Sequence, residues 1–528
     1  MSEVAENIVQ SENSESQIST GDQTPPESSL EGKDGKKPSS VAYYVKAFIG
    51  LAIMIFFQFI PAPAPITQIG MALLGYFIGL ILLWSLVDMV WPTFIAICLF
   101  AFQAQQIYPG SYQLAGIYEA GMQSFGQWIT LFVLGTLVIC QALDETGTIR
   151  RITMWFLTRK YAKKNPWTFT FMLWLSGLVI ALFLDVTVAQ IFMIKIAHEL
   201  FRELGFKKGD AWPRVIIIGI TFTAILGFTM TPICHTLPIL FTGISAAISG
   251  VPVNLLAYML VGIPVGAVLW LIMYFWFRYV VKPDISQFKN VDFSIIDKKR
   301  PGKMDAREKG VVTISLIVLI AWIVPGFASF LAPQSAFTEL VNALTSTFPL
   351  FAGIAAMGFI RIGGKPLLDI QEAFKKITWL PIILLAGIMM VSGAMGEDTT
   401  GIPAWIATYV VPLAEGYSPF IVIAILSVLC VFITNIANNV PVGIIFVSVG
   451  TPMALSMGMN PAIVAVTVSI AANLAYTIPP AYVPVGFAYA DPYCNGGSVF
   501  RNGVVMAVAS MVVSALLIYP LGVLFFGA

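Results

Sequence analysis

Charged residues are scarce in this chain of 528 residues. Asp, Glu, Lys and Arg make up 11% of the sequence, where soluble domains carry about 25%. Hydrophobic residues make up 58%, and a soluble chain cannot bury that much apolar surface. The 29 Lys and Arg nearly balance the 28 Asp and Glu, so no basic excess favours nucleic acid as a partner. The composition excludes nucleic-acid binding and secretion, argues against a soluble enzyme, and predicts a multi-pass, all-α membrane protein.

Cysteine is also rare, and its five copies are scattered through the sequence. No Cys-x-x-Cys or other ligand-like spacing occurs, so neither a disulfide framework nor a zinc site is predicted. We expect the cysteines to be small buried apolar side chains. The sequence also lacks a Gly-x-x-x-x-Gly-Lys-Ser/Thr loop, which argues against an ATP-driven pump.

Long apolar segments follow a polar N-terminal region. Residues 1–40 are polar and mostly acidic and are predicted to be a disordered cytosolic tail. About eleven later segments are apolar enough to be spans. Two of these, 213–247 and 461–490, contain Pro and polar residues and are predicted to be broken helices. The stretches 166–206 and 418–458 have polar centres and are predicted to be re-entrant hairpins, because irregular backbone at membrane depth must face protein or water.

Basic residues are confined to alternate connecting segments. Along the sequence, connecting segments that contain Lys and Arg alternate with connecting segments that contain none. The positive-inside rule describes this pattern for a cell membrane protein. This places the N-terminus in the cytosol and the C-terminus outside, and opens the two hairpins to opposite sides. We expect a first half at 41–279 with spans 1–6 and the cytosol-facing hairpin, a cytosolic loop at 280–309, and a second half at 310–528 with spans 7–11 and the exterior-facing hairpin.

The two halves repeat each other around their polar interruptions. The tip Phe183–Ala189 corresponds to Ile436–Val442, and the break Phe228–Pro238 corresponds to Tyr476–Pro484. Because the charge rule gives the copies opposite orientations, we predict an inverted repeat. Inverted repeats with discontinuous helices are typical of secondary transporters, which bind substrate at the repeat interface.

Interrupted helices can bind both anions and cations. A helix that begins inside the membrane offers free N–H groups and a positive dipole end, which hold a small anion without a buried Lys or Arg. The predicted substrate-binding residues are Thr187, Thr236, Asn438, Asn439, Pro480 and Pro484. Exposed carbonyls with Asn, Asp and Thr oxygens suit Na⁺. The predicted cation-binding residues are Asp185, Gly227, Thr229, Thr231, Thr434, Asn438 and Thr477, with Asp185 and Asn438 as direct Na⁺ ligands. Each threonine has an alternative role, a bond back to its own helix.

Asp185 is the one carboxylate that we place at mid-membrane depth, where ionisable residues are usually functional. We predict that it ligates Na⁺ or carries a proton. The alternative is a structural acid, paired with a distant cation or protonated. His235, in the first break, is predicted to sense pH or contact substrate, and Lys195 can extend to the cytosolic side.

With these segments placed, the chain resembles the divalent anion/sodium symporter family of the ion transporter superfamily over roughly 44–527. Leu82–Pro92 is similar to the family's early Trp, acid and Pro pattern, Leu134–Arg151 to its Gly, Ala, Thr-Gly and Arg stretch, and Ala472–Pro480 to its second broken-helix motif. The resemblance implies eleven spans, two opposed hairpins, two broken helices, a homodimer and an elevator-like movement. The family's Ser-Asn-Thr tips are replaced, and only Asn438 is retained.

We therefore predict a secondary active transporter, not an enzyme. Its substrate would be a small organic anion of the di- or tricarboxylate kind, moved by alternating access and coupled to Na⁺ or H⁺, with no other cofactor. The alternative is a proton-coupled carrier or exchanger of a different, less anionic solute, which the replaced tips favour. A passive channel is a further class. The expected partners are membrane lipid and a second copy of the chain.

Overall fold

The computed structural model describes residues 40–527, except 89, 110–115, 163, 185, 234, 286–300, 333, 345–346, 378, 406–407, 410–411 and 413–415. The predicted tail at 1–40 lies outside the described residues apart from Ser40, as does most of the loop predicted at 280–309. The described chain is mostly helical, which confirms the predicted class of a helical protein with many apolar helices.

Eleven helices of the described chain precede the loop predicted at 280–309. They are α1 (Ser40–Phe56), α2 (Gln68–Leu86), α3 (Trp91–Ile107), α4 (Gly116–Gln123), α5 (Trp128–Glu145), α6 (Thr148–Leu157), α7 (Pro166–Ala181), α8 (Val186–Glu203), α9 (Ala211–Met230), α10 (Thr236–Ser249) and α11 (Leu255–Phe275). A 3₁₀ turn, Phe57–Phe59, follows α1, and a π-helical turn, Trp276–Val281, extends α11.

The second part of the chain is also helical. Its elements are α12 (Ala306–Leu331), α13 (Ala336–Leu344), α14 (Thr347–Phe359), the strands β1 (Arg361–Ile362) and β2 (Lys365–Pro366), then α15 (Ile370–Lys376), α16 (Leu380–Met395), a 3₁₀ turn (Asp398–Thr400), α17 (Ile402–Trp405), α18 (Pro419–Thr434), α19 (Asn439–Ser456), α20 (Pro461–Ala471), α21 (Val483–Ala490) and α22 (Gly496–Phe526). The two strands form an antiparallel hairpin. Its turn is made by Gly363 and Gly364, whose positive φ angles suit glycine.

Side-chain caps and prolines define where several helices begin. Asn165, Ser418 and Asn460 each accept a hydrogen bond from a backbone N–H of the first helical turn, and each is followed by proline. A capping oxygen satisfies an N–H that has no partner within the helix. Proline at the first position has no N–H to satisfy and already has helical φ. These local signals place the starts of α7, α18 and α20.

Continuous helices of spanning length are fewer than the predicted spans. Five helices of the described chain are long and apolar enough to cross a membrane, and a sixth span results if α5 and α6, bent by 58°, are counted together. Seven further apolar helices have only 10–17 residues. The segment predicted as a broken span at 461–490, for example, contains the 11-residue helix α20 and the 8-residue helix α21. Eleven spans therefore stay a prediction.

The core is centred on α9 and α20, the helices that precede the two breaks. Trp212 through Met230 of α9 are buried at all but one position, and every residue of α20 is buried. Helix α9 contacts α7, α8 and α11, and α20 contacts α10, α19 and α22. Gly219 allows the closest of these approaches, since a Cβ there would overlap the Trp174 ring. The two breaks are thus held inside the molecule.

One expectation about cysteine is wrong. Cys140 is disulfide-bonded, although the spacing of the cysteines predicted none. Cys98, Cys430 and Cys494 are free, and of these only Cys430 is fully buried. The spacing of cysteines along the chain does not report pairs that the packing of helices brings together.

Candidate functional site

The turn between α7 and α8 is bound to the break between α9 and α10. The Thr231 hydroxyl donates to the carbonyl oxygen of Leu182 at 2.7 Å. The fully buried imidazole of His235 places Nε2 3.0 Å from the Leu184 carbonyl oxygen and Nδ1 2.5 Å from the Thr231 carbonyl oxygen. A neutral imidazole can donate to only one of these carbonyls, whereas an imidazolium can donate to both. His235 therefore connects the first tip to the first break.

The turn between α18 and α19 is bound in the same manner to the break between α20 and α21. Asn435 donates from Nδ2 to the Leu474 carbonyl oxygen at 2.8 Å and accepts from the Tyr476 N–H at 2.9 Å. The Thr434 hydroxyl donates to the Ala472 carbonyl oxygen at 2.6 Å. Asn435 is 6% exposed, so these bonds are shielded from water and fix the unwound segment after α20.

The first turn of α19 adds two further contacts to this break. The backbone N–H of Asn439 donates to the Ala481 carbonyl oxygen at 3.2 Å. Its side chain donates to Asn473 Oδ1 at 3.2 Å, and Asn473 donates in turn to the Ser469 carbonyl oxygen. Both side chains are buried. A chain of amides thus leads from the second tip into α20.

The two halves of the chain are joined by side chains from the same elements. The Thr451 hydroxyl of α19 donates to Ser245 of α10 at 3.1 Å, and Gly443 of α19 lies against Phe241. On the other side, Gln190 of α8 donates to the Pro484 carbonyl oxygen of α21 at 2.8 Å. The first tip, the first break, the second tip and the second break therefore form a closed ring of contacts.

Four helices begin within this ring. Helix α8 begins at Val186, α10 at Thr236, α19 at Asn439 and α21 at Val483, each directly after a tip or a break. The contacts between the halves are made by these four helices, within the first two turns for Gln190, Phe241, Gly443 and Pro484 and in the third and fourth turns for Ser245 and Thr451. The ring, defined here as 182–187, 231–236, 434–440 and 472–484, contains no Lys or Arg. The features of the ring that can attract anions are the helix N-termini.

The predicted residues of the first half belong by sequence to the first tip, the first break and the helices that adjoin them. Asp185 lies outside the described residues. Thr187 is half-buried in the first turn of α8, and Thr236 is the first residue of α10. Gly227 passes close to Ala181 at the end of α7. Thr229 donates to the Leu226 carbonyl oxygen of its own helix, which is the alternative role that we gave to the threonines.

The predicted residues of the second half belong to the second tip, the second break and the start of α21. Asn438 is the N-cap of α19, where its Oδ1 accepts from the Val440 N–H at 3.0 Å. The Thr477 hydroxyl donates to the Asn435 carbonyl oxygen. Pro480 is exposed in the break, and Pro484 is buried in the first turn of α21. The structure brings these residues together with Thr434 and Asn439.

Three residues that hold the tips, the breaks or the two halves together were not predicted as site residues: Gln190, Asn435 and Asn473. Each is an amide that is 6% exposed or less. A weak signal exists for Asn435, which belongs to a run with Asn438 and Asn439 in an apolar stretch. Gln190 carries no local signal because its partner is 294 residues away. Among the described residues, no group of three His, Cys, Asp or Glu could hold a metal ion.

An ionic cluster connects α5 and α6 to α12 and α15. Arg151 forms a two-point pair with Glu308, with Nε–Oε1 at 2.6 Å and Nη2–Oε2 at 2.7 Å. Glu145 pairs with Arg307 and with Lys376 at 3.2 and 2.7 Å. The hydrogen bond and the charge of Glu145 raise the pKa of Lys376. This cluster lies in the stretch around Arg151 that carries the family resemblance.

Comparison with known proteins identifies the class. Residues 36–471 match the model of the citrate transporter family, so the chain belongs to this family. Relatives include the sodium-dependent dicarboxylate transporter SdcS of Staphylococcus saprophyticus, 23% identical over 75% of this chain and 76% of the relative. The Na⁺/citrate cotransporter of Mus musculus is 25% identical over 39% of each chain. The chain is therefore a multi-pass membrane transporter of the divalent anion/sodium symporter kind, and not an enzyme.

A solved structure shares the fold. The YdaH transporter of Alcanivorax borkumensis superposes with a TM-score of 0.54 at 14% identity, over 82% of this chain and 97% of that one. At this identity the likeness concerns the fold alone. It supports the arrangement of apolar helices described above.

Proposed function

We propose that this protein is a secondary active transporter that carries small di- or tricarboxylate anions across the cell membrane, coupled to Na⁺. The observation that carries the proposal is the ring in which four helices begin beside one another. Carboxylates would be held there by backbone N–H groups and by Thr187, Thr236, Asn438 and Asn439. The relatives' names, sodium-dependent dicarboxylate and Na⁺/citrate transporters, support the same substrate class and ion.

The absence of Lys and Arg from the ring sequence suits a transporter. A permanently charged side chain at the site would hold a dianion tightly and slow its release. Helix N-termini contribute partial charges that attract an anion without trapping it. A conformational change that separates two of the four N-termini would then weaken binding and release the substrate.

Sodium would bind at the backbone oxygens of the two breaks. In the first half, the Na⁺ ligands would be Asp185, Gly227, Thr229 and Thr231. In the second half, they would be Thr434, Asn438 and Thr477. Hard cations prefer carbonyl, hydroxyl and carboxylate oxygens. We propose that Na⁺ binds first, because neutralising Asp185 removes its repulsion of an incoming dianion.

Alternating access would follow from the inverted repeat. The two hairpins and two broken helices would move as one body past a fixed scaffold in a homodimer, with the N-terminus in the cytosol and the C-terminus outside. The bonds of Gln190 to Pro484 and of Thr451 to Ser245 support movement as one body, because they join elements of both halves.

Proton coupling is the second candidate, and it is supported by His235. Its two ring nitrogens both face carbonyl oxygens, so a proton on this ring would add a hydrogen bond either to Leu184 of the first tip or to Thr231 of the first break, depending on which nitrogen donates in the neutral form. Asp185 is the second proton carrier that the sequence offers. A proton-coupled protein could carry or exchange a less anionic solute.

Uptake of labelled succinate and citrate into proteoliposomes tests the proposal. An inward Na⁺ gradient should drive uptake above that of protein-free liposomes, and a proton gradient alone should not. Asp185→Asn should raise the Na⁺ concentration needed for half-maximal uptake and leave part of the activity, with Asp88→Asn as the matched control. Uptake driven by protons alone and lost in Asp185→Asn would establish the second candidate. Counterflow of preloaded substrate would exclude a channel.

A further inference from the structure

A cavity of about 190 Å³ lies between α12 and the first tip. One wall is a face of α12 that includes Val312, Ser315 and Trp322, and the opposite wall includes Phe183 and Leu184 of the tip. Residues of α5 and α6 and Ile233 of the first break complete it. The cavity is thus separate from the ring but shares the tip with it.

The lining of the cavity is almost entirely apolar. Only Thr148, Ser315 and the indole N–H of Trp322 supply polar side-chain atoms, and the Thr148 hydroxyl is already bonded to Thr146. The buried Ser315 hydroxyl has no hydrogen-bond partner among the described residues. A stably bound water needs two to four polar partners, and apolar cavities of about 150 Å³ stay dry and take apolar ligands. The cavity therefore suits a hydrocarbon ligand with one hydrogen-bond acceptor.

An ion pair lies next to lining residues of the cavity in both α6 and α12. Arg151 lies between the lining residues Thr148 and Ile152 of α6, and its partner Glu308 lies one turn before Val312 on α12. Around this pair, Arg150 and Lys309 are exposed. A ligand that enters beside this ion pair passes basic side chains before it reaches the apolar interior, which complements a molecule with an anionic head and a hydrocarbon tail.

We propose that this cavity binds an acyl chain of an anionic membrane phospholipid. The phosphate faces Arg150 and Lys309, an ester carbonyl accepts from Ser315, and the chain packs against Trp322 and Leu184. An acyl chain that enters the cavity leaves one apolar medium, the bilayer, for another, so the hydrophobic effect adds little to the affinity. The affinity comes from dispersion contacts in the filled cavity and from the charge of the headgroup. The acyl chain contacts the first tip, so a bound lipid would restrain the movement of that tip.

Phospholipids with brominated acyl chains test the proposal, because bromine quenches tryptophan emission only on close approach. Trp322 is 5% exposed, so bulk lipid does not reach it. In liposomes of brominated phosphatidylglycerol, part of the tryptophan emission of the wild-type protein should be quenched. The Trp322→Phe variant should not show this quenched component, because the component comes from Trp322. Trp212→Phe, at a site that is 1% exposed and outside the cavity lining, should leave the quenched component unchanged.

A second variant separates occupancy from folding. Ser315→Phe fills the cavity and should abolish the Trp322 component while the protein elutes as folded material in size exclusion. Quenching should be at least twofold weaker in brominated phosphatidylcholine. Equal quenching with and without Trp322, or unchanged quenching in Ser315→Phe, would overturn the lipid site. Equal quenching by both lipids would overturn its anionic specificity.

Discussion

Gln190 and Pro484 join the two halves of the protein through one buried hydrogen bond of 2.8 Å. The second N–H of the Gln190 amide donates to the Thr221 hydroxyl at 2.8 Å, and Thr221 itself donates to the Ile217 carbonyl oxygen. Both partners are therefore acceptors, which fixes the orientation of the amide. Oε1 of Gln190 is buried without a partner among the described residues. One side chain thus holds α8, α9 and α21 together.

Replacing Gln190 should destabilise the protein in a graded order. Gln190→Leu leaves the Pro484 carbonyl unpaired but also removes the orphaned Oε1, so we expect a loss of about 1 kcal/mol. Gln190→Glu turns a carboxylate toward Pro484 and should cost about 3 kcal/mol or more. Gln123→Leu removes an amide that donates to Glu119 and accepts from Gln127 on a half-buried surface, and should change stability by less than about 0.5 kcal/mol. Thermal unfolding in detergent measures the order, and equal losses at both sites would contradict it.

Gly443→Ala should be destabilising because its Cβ would overlap the Phe241 ring. Overpacking of this kind costs about 1–3 kcal/mol. Phe241→Leu removes part of the ring, so the double variant should lose less than the sum of the single variants. Gly121→Ala has open space around its Cβ and should be neutral or slightly stabilising. Strict additivity of the two substitutions would show that α10 and α19 are not in contact.

The sequence predicts the two helix breaks better than the contacts that surround them. Thr231 and Pro232, like Pro479 and Pro480, are local signals that interrupt an apolar run. Helix α9 ends at Met230, directly before Thr231, whereas α20 already ends at Ala471, well before Pro479. The pairing of Gln190 with Pro484 has no such signal, because one polar residue on a helix resembles any solvent-facing residue. The sequence overestimates the lengths of some helices, because an apolar segment that is buried in protein need not be helical throughout. The segment 461–490, for example, contains only the short helices α20 and α21.

Glu308→Gln should be more destabilising than the same change on the surface. The Glu308 side chain is 5% exposed and holds Arg151 at two points, and removing one partner of a buried pair costs up to about 3–5 kcal/mol. Because Arg151 is 24% exposed and can reach water, we expect about 2 kcal/mol. Glu372→Gln breaks an exposed pair with Lys375 and should cost less than about 0.5 kcal/mol. Equal shifts in melting temperature would show that the ionic cluster does not stabilise the protein.

Asn435→Asp and Asn438→Asp should separate stability from transport. In the wild-type protein, Asn435 Nδ2 donates to the carbonyl oxygens of Val431 and Leu474. An aspartate at position 435 keeps an acceptor for the Tyr476 N–H but turns a second oxygen toward those two carbonyls. Two lost bonds and a buried charge should cost about 3 kcal/mol or more, and citrate uptake should fall with the amount of folded protein. At position 438 aspartate caps a helix as well as asparagine does, so the melting temperature should stay within error.

Uptake should nevertheless change in Asn438→Asp, because a fixed negative charge at the start of α19 repels a carboxylate and attracts a cation. We expect the citrate concentration for half-maximal uptake to rise several-fold. The Na⁺ concentration for half-maximal uptake should fall. Asn438→Ser retains a capping oxygen without charge and should leave the substrate requirement within about twofold. If Asn438→Asp instead took up citrate with wild-type requirements for both solutes, the start of α19 would not face the substrate, and the proposed binding ring would have to exclude it.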